Sequence, residues 1–307
     1  MPVEFLGVTQ RGKKIREIPN DNLSRKYKYY GERDPIPEWT IDLDFETLGP
    51  LKFQSVGAYS ETAMFHKKSK TLLLTDAVVS VTDTPPKIIA EDPRAMLFHA
   101  RDSIDEIVED NEETRKRGWR RMVQFGLVFF PSQIDVVPFG AAISQATKID
   151  EGMKTLGDGA VPASLYPWTW HSDNADLKNF DQISNGGEIF CPPILTKLIL
   201  DREPVKTLQW VDRICNRFDF ERIIPCHLNN NVKADPKAFR AAFDVLRSDP
   251  SNGNLKSQRP LAEDLALLQK ASDLLTKVGV VGKSQICDGE PARVEGRFKS
   301  TRKSIKG

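Results

Sequence analysis

HKKSKTLLLTDAVVS, residues 66–80, joins a lysine-rich turn to a short apolar strand that ends at an aspartate. The turn, 66–70, lies between two β-prone runs, and this pattern predicts a hairpin. The second strand, 71–75, is followed directly by Asp76. A carboxylate at the end of a core strand is costly unless something pairs with it. Two explanations are open at this point: Asp76 caps a turn, or it coordinates a metal ion.

The composition is that of a globular protein. The 307 residues are 39% hydrophobic and 28% charged, which is enough apolar content for a sizeable core. The formal net charge of +1 gives no overall field that would favour nucleic acid or a membrane surface. The sequence contains no run of about 18 apolar residues, so no transmembrane helix is predicted. The first residues lack a signal-peptide core. Four scattered cysteines without a CxxC pair predict free thiols in a reducing compartment.

Strands alternate with helical patterns along the chain, which predicts the α/β class. We expect an irregular N-terminal segment at 1–47 and a main domain at 48–248, with a helical insertion at about 90–200. A loop and a C-terminal helix at 249–290 and a basic tail at 291–307 complete the expected organisation. Helix signals include a cap at Asp110 or Asn111, Asp235 followed by Pro236, and a stop at Gly279.

A second strand end carries another metal-capable side chain. FERIIPCHL, residues 220–228, predicts a buried strand that delivers His227 just past its end. Ligand sites in α/β sheets lie at that edge, so Asp76 and His227 could share a zinc, iron or manganese ion. The alternative is that His227 is a satisfied core histidine. Two ligands alone do not complete a site, because catalytic zinc takes about three protein ligands and a water.

The other polar candidates lie in the expected helical insertion. His99 and Arg101, in LFHARD, are candidates for positioning an anionic substrate, although packing and salt bridging are the default interpretation of His99. His171, in YPWTWHSDN, lies in an aromatic-rich loop of the kind that forms either a pocket or lid packing. The basic run at 115–121 follows an acidic run, which favours an ion-paired helix face. His66 is expected to be exposed in its turn.

Several blocks of the sequence resemble a known family. They are GPLKFQSVGAYSETAMFHKKSKTLLLTDAVVSV, PPKIIAEDPRAMLFHARD, RKRGWRRMVQFGLVFFPS, FCPPILTKLIL and FDFERIIPCHL. In this order, over roughly residues 40–247, they are similar to the domain-of-unknown-function family four-three-three-six, which is typical of cyanobacteria and plastids. The resemblance implies a plastid-type protein. It also implies a remote relation to the metallo-β-lactamase fold, here as an incomplete or degenerate αββα sandwich with a helical insertion.

That relation bears on the strand-end aspartate. In metallo-β-lactamase-like hydrolases a hairpin strand of the TLLxTGD type ends in a bridging metal-binding aspartate, the position that Asp76 matches. A later strand ends in PxH, which 225–227 match through His227. The chain also departs from the pattern, because the expected hairpin histidine falls near Ala58 and no HxHxDH motif occurs. The resemblance further implies that the chain starts in the middle of the domain.

Two functional hypotheses follow from these residues. The first is a non-catalytic, scaffold-like protein that contacts an unknown protein partner through its helical insertion, with an exposed apolar patch around Trp168, Trp170 and Phe180. The second is a metal-dependent hydrolase of an ester, thioester or phosphoester that uses Asp76 and His227. Neither hypothesis involves specific nucleic-acid binding or a transmembrane segment. No GxGxxG, GxxxxGK[ST], HExxH or GxSxG motif points to another activity.

Overall fold

The computed structural model describes residues 38–55, 57–104, 106–146, 166–171, 175–247 and 261–285. Its strands are β1 Leu43–Lys52, β2 Ala58–His66, β3 Thr71–Leu74, β4 Ile134–Val136, β5 Trp168–Trp170, β6 Arg222–Pro225 and β7 Val232–Lys233. Its α-helices are α1 Lys87–Ala90, α2 Arg94–Ala100, α3 Glu112–Val128, α4 Phe139–Ala146, α5 Ala175–Ser184, α6 Pro193–Leu198, α7 Pro204–Arg217, α8 Pro236–Ala241 and α9 Ala262–Lys277.

The main sheet has five strands in the order β1-β2-β3-β6-β7. The first three strands are antiparallel neighbours, and the expected hairpin is the β2–β3 connection. Strand β6 then pairs with β3 in parallel, and β7 closes the sheet as an antiparallel neighbour of β6. The parallel pair brings the ends of β3 and β6 to the same edge, although the two strands are about 150 residues apart in the sequence.

Helices α7 and α8 cover one face of this sheet. Trp210 of α7 is fully buried, its ring packs against Phe239 and Phe243, and its indole N–H donates to the Glu46 carbonyl of β1 at 3.2 Å. Alternate residues of β2, including Ala63, point into the same core. The intervening β2 positions, 62, 64 and 66, are only half-buried, so the two faces of this strand are unequally covered.

A second layer of helices packs around α3 and has a core of its own. Asn111 caps α3, because its side chain accepts a hydrogen bond from the Thr114 N–H at 3.0 Å. Helix α2 crosses α3 at Gly118, where a Cβ atom would lie 1.9 Å from the Met96 carbonyl oxygen. The two helices are therefore in backbone contact, and this contact fixes the position of α2.

A buried polar network joins α9 to this helical layer. The Asp264 carboxylate accepts hydrogen bonds from the Ser132 N–H, at 2.5 Å, and from the Asn179 side-chain amide. Asn179 in turn accepts from the Leu261 N–H at 3.2 Å. Further along α9, the Ser272 hydroxyl accepts from the buried Arg202 guanidinium at 2.6 Å. Helix α9 is thus attached through buried hydrogen bonds, and losing them would leave buried polar groups unpaired.

The mixed α/β class predicted from the sequence is confirmed, and so are the hairpin and the caps. Asp235 caps α8 by accepting from the Ala238 N–H at 2.8 Å, and Gly279 follows α9 with a φ of 74°. The boundary at 47/48 was wrong for the first strand, which begins at Leu43. The tail at 291–307, residues 1–37 and Cys287 lie outside the described residues.

Candidate functional site

Asp76 and His227 meet at the shared edge of the parallel strand pair. Leu74 is in register with Pro225, and each candidate residue follows its strand by two positions. The His227 Nε2 atom lies 2.8 Å from Asp76 Oδ1, and the side chains are 63% and 48% exposed. The cost of a buried carboxylate does not arise here, because Asp76 is half-exposed and lies beside the imidazole of His227. The structure thus brings together the two residues that the sequence singled out.

The turn that carries His227 has an unusual backbone. Leu228 has a φ of 64°, a left-handed conformation that branched residues rarely adopt. The next residue is held in place, because the Asn229 N–H donates to the Ser80 carbonyl at 3.1 Å. Backbone strain of this kind persists only where surrounding contacts determine the conformation, and it is concentrated at functional sites.

Glu61 of β2 is the buried carboxylate at this strand end. It accepts hydrogen bonds from the backbone N–H groups of Thr75, at 2.7 Å, and Asp76, at 3.1 Å, as well as from the Thr75 hydroxyl. The Tyr59 hydroxyl donates to it at 3.0 Å. Burial raises the pKa of the Glu61 carboxyl, and these hydrogen bonds oppose that shift. Glu61 therefore caps the end of β3, a role that the sequence analysis assigned provisionally to Asp76.

A signal for Glu61 was present in the sequence. In AYSETAMFH, residues 58–66, the alternate positions Glu61, Ala63 and Phe65 point to the buried face of β2. A glutamate in phase with alanine and phenylalanine on an inward face requires several hydrogen-bond donors. The position near Ala58, where the resemblance would place a histidine, is the exposed first residue of the same strand.

Asp76 and His227 are the two metal-capable side chains that meet at this edge. Among the described residues, no group of three histidine, cysteine, aspartate or glutamate side chains is arranged to hold a metal ion. Asp76 and His227 supply two donors, whereas a catalytic zinc site takes three protein ligands. Glu61 is engaged by the donors that it caps. The adjacent Cys226 is an exposed free thiol whose pKa is raised by partial burial and by the carboxylates of Asp76 and Glu61.

His99 and Arg101 lie in a different place, an aromatic cluster next to α2. The His99 ring stacks on Trp168 at 6.0 Å between centroids and contacts Phe98 and Phe125, each at 5.3 Å. Its Nδ1 atom is buried and makes no hydrogen bond. Burial, together with the charges of Arg101 and Arg121, lowers the pKa of His99 to about 4. His99 is therefore neutral in the folded protein at physiological pH, and its packing role matches the default interpretation.

The low pKa of His99 predicts an acid-sensitive fold. A histidine whose pKa falls from about 6.5 in the unfolded chain to about 4 stabilises the protein fully above pH 6.5 and progressively less as the pH falls towards 4. We expect a loss of about 2 kcal/mol between pH 7 and pH 5 from this group alone. Urea unfolding at both pH values should show that His99→Gln loses less stability over this interval than the wild type.

The matched control for His99→Gln is His171→Gln, because His171 is 42% exposed. This variant should retain the full wild-type pH dependence. Equal slopes for His99→Gln and the wild type would contradict the assignment of this acid sensitivity to His99.

Arg101 is 1% exposed, and its guanidinium lies over the rings of Phe98, at 4.8 Å, and Tyr166, at 4.7 Å. Its Nη1 atom makes no hydrogen bond, and burial lowers its pKa. The neighbouring Arg121 is also buried, but its charge is balanced by Asp102 at 2.5 Å and Asp176 at 3.6 Å. The basic run at 115–121 is thus ion-paired as expected, although Arg121 faces the interior.

Two sequence expectations about the aromatic loop need correction. Trp170 and Phe180 are core residues and Trp168 is half-buried, so they do not form an exposed apolar patch. The reason is that β4 and β5 pair as a two-stranded sheet, with Ile134 opposite Trp170, which turns Trp170 towards the core. His171 lies at the end of β5, where its Nε2 atom is 3.2 Å from Asp135 Oδ1 at the surface. It does not join His99 and Arg101 in one cluster of ring contacts.

The fold and these sites define a mixed α/β protein. It has an Asp–His pair at one edge of the main sheet and, separately, an aromatic cluster that contains Arg101. A family model for a domain of unknown function (DUF4336) matches residues 1–245, and the chain belongs to this family. The match also covers residues 1–39, which the sequence resemblance had left out. No curated protein and no solved structure matches the chain. None of the helices in the described ranges is long and apolar enough to cross a membrane.

Proposed function

We propose that this chain is a non-catalytic binding protein built on a degenerate metallo-β-lactamase-like fold, in a plastid-type setting. The observation that carries the proposal is the 2.8 Å contact between His227 Nε2 and Asp76 Oδ1. The two side chains that correspond to metal ligands satisfy each other. The neighbouring Glu61, which could have supplied a third donor, is engaged as the cap of β3.

Two features support the distant fold relation. In the metallo-β-lactamase-like pattern a hairpin strand ends in an aspartate and a later strand ends in PxH. Here the corresponding strands, β3 and β6, are parallel neighbours that end at one edge. The degenerate character rests on the residues that depart from the pattern, namely Ala58 and the lack of an HxHxDH motif. The plastid setting rests on the sequence resemblance alone.

An interaction role also requires apolar surface, and the helical region supplies it. Phe129, Val136 and Phe139 are all exposed, and they lie close together in the sequence around β4. They are exposed apolar residues of the kind that the sequence had suggested for Trp168, Trp170 and Phe180.

A metal-dependent hydrolase remains the second candidate, favoured by the adjacency of Asp76 and His227. Such an enzyme would use zinc, iron or manganese to activate a water for attack on an ester, thioester or phosphoester. Its site would need at least one further ligand beyond these two side chains.

Metal stoichiometry separates the two candidates. We expect the chain, purified without chelators, to contain well below one equivalent of zinc, iron or manganese by elemental analysis. The Asp76→Ala/His227→Ala double variant should contain the same amount, and neither protein should hydrolyse p-nitrophenyl acetate or p-nitrophenyl phosphate above background. About one equivalent of metal in the wild type that is lost in the double variant, together with hydrolysis, would contradict the binding-protein proposal.

A further inference from the structure

The aromatic cluster around Arg101 contains more buried donors than acceptors. Arg101 Nη1, Trp168 Nε1, Trp170 Nε1 and Arg121 Nε are all buried and make no hydrogen bond. Arginine and tryptophan side chains carry donors only, so they cannot satisfy one another. Buried polar groups in folded proteins are almost always paired, and four unpaired donors in one cluster call for a specific explanation.

The residues that carry these donors all interact with Tyr166. The indole N–H groups of Trp168 and Trp170, with the charges of Arg121 and Arg101, lower the pKa of Tyr166, although burial raises it more strongly, to about 12. The Tyr166 hydroxyl donates its own proton to the Arg101 carbonyl. Both indole N–H groups interact with this hydroxyl, but neither makes a hydrogen bond of ordinary geometry with it.

The charge of Arg101 has no ion-pair partner among the described residues. Arg121 has Asp102 and Asp176 as partners, but no carboxylate in the described part of the chain forms an ion pair with Arg101. Glu106, a described acid whose charge acts on Arg101, pairs instead with Arg117 at 2.8 Å. A fully buried guanidinium without an anion is costly, and contact with aromatic faces offsets only part of that cost.

We propose that the Arg101 cluster is a binding site for a small oxyanion, a carboxylate or phosphate group. Such a ligand has several acceptor atoms and negative charge, so it would satisfy the free donors and balance Arg101. The guanidinium would bind one edge of the anion, and the two indole N–H groups would bind its remaining oxygens. The partly exposed rings of His99 and Trp168 connect the cluster to the surface and mark the entry side. This site is independent of the proposed function, because it shares no residue with the Asp76–His227 edge.

Thermal melting at constant ionic strength tests the proposal, with chloride replaced stepwise by phosphate, sulfate or acetate. We expect the melting temperature of the full chain to rise saturably at millimolar anion, by about 5 °C at a hundredfold excess over Kd. Arg101→Met should abolish the rise and, in chloride alone, should melt at or above the wild-type temperature. The rank of phosphate against acetate identifies which group the site prefers.

The control is Arg222→Met, which makes the same change at an exposed position on β6 and should retain the full anion response. Trp168→Phe replaces the indole by a phenyl ring and so removes one donor while keeping an aromatic side chain. It should weaken anion binding about tenfold by calorimetry, and this holds even if Arg101→Met folds poorly. A wild-type response that does not saturate would be a general salt effect and would overturn the proposal. An Arg101→Met protein that responds to anions like the wild type would also overturn the proposal. The same conclusion would follow if the wild type bound no anion and Arg101→Met were less stable than the wild type in chloride.

Discussion

Gly118→Ala is expected to destabilise the protein by about 3 kcal/mol or more, an overpacking cost at the upper end of the usual range. A Cβ atom at this position would lie 1.9 Å from the Met96 carbonyl oxygen and 2.5 Å from its carbon. Both atoms belong to the backbone of α2, so no side-chain rotation relieves the clash and the two helices must separate. Because α2 carries His99 and ends next to Arg101, the aromatic cluster should be disturbed as well.

Gly126→Ala is the matched control on the same helix. No atom lies within 4 Å of a Cβ built there, so the substitution should stabilise α3 by about 0.5–1 kcal/mol through helix propensity. Urea unfolding of the two variants, beside the wild type, measures both effects. A Gly118→Ala protein within about 1 kcal/mol of the wild type would show that α2 and α3 are not in backbone contact.

Glu61→Ala is expected to cost about 3 kcal/mol, because it removes the buried acceptor of the Thr75 and Asp76 N–H groups and of the Thr75 and Tyr59 hydroxyls. Glu61→Gln should lie between the alanine variant and the wild type, since the amide retains one oxygen but turns its NH₂ group towards donors. Hydrogen exchange should identify the cause, with the amides of Thr75 and Asp76 becoming much faster than those elsewhere in the sheet.

Glu221→Ala is the control for Glu61, since this glutamate is 71% exposed and pairs with Lys70 at the surface. Its loss should change the free energy of unfolding by no more than about 0.5 kcal/mol. The capping role of Glu61 would be refuted by a small loss in Glu61→Ala combined with slow exchange at Thr75 and Asp76.

The features that local pattern specifies were predictable from the sequence. The lysine-rich turn at 66–70, the caps at Asn111 and Asp235 and the stop at Gly279 each depend on a few neighbouring residues. Predicting that Asp76 and His227 lie together required one further inference, namely that two apolar strands end at the same edge of the sheet. The parallel pairing of β3 and β6 brings the two strand ends to the same edge.

The features that depend on distant partners could not be derived in this way. The aromatic content around Trp168 and Trp170 suits either a surface patch or a core, and only the pairing of β4 with β5 decides the outcome. The lack of an ion-pair partner for Arg101 among the described residues is likewise invisible in LFHARD, because Asp102 follows it directly and would be taken for its partner. In the fold, Asp102 pairs with Arg121 instead.

The attachment of α9 shows that the packed unit extends beyond the region matched by the family model. The family match ends at residue 245, yet the acceptor for the Ser132 N–H and the Asn179 amide is Asp264, which lies beyond it. A recombinant fragment trimmed to the matched region would leave these interior groups open to solvent and would be a poor sample for crystallisation or ligand screening. Fragments for such work should therefore continue through Val281, which is buried against the body of the protein.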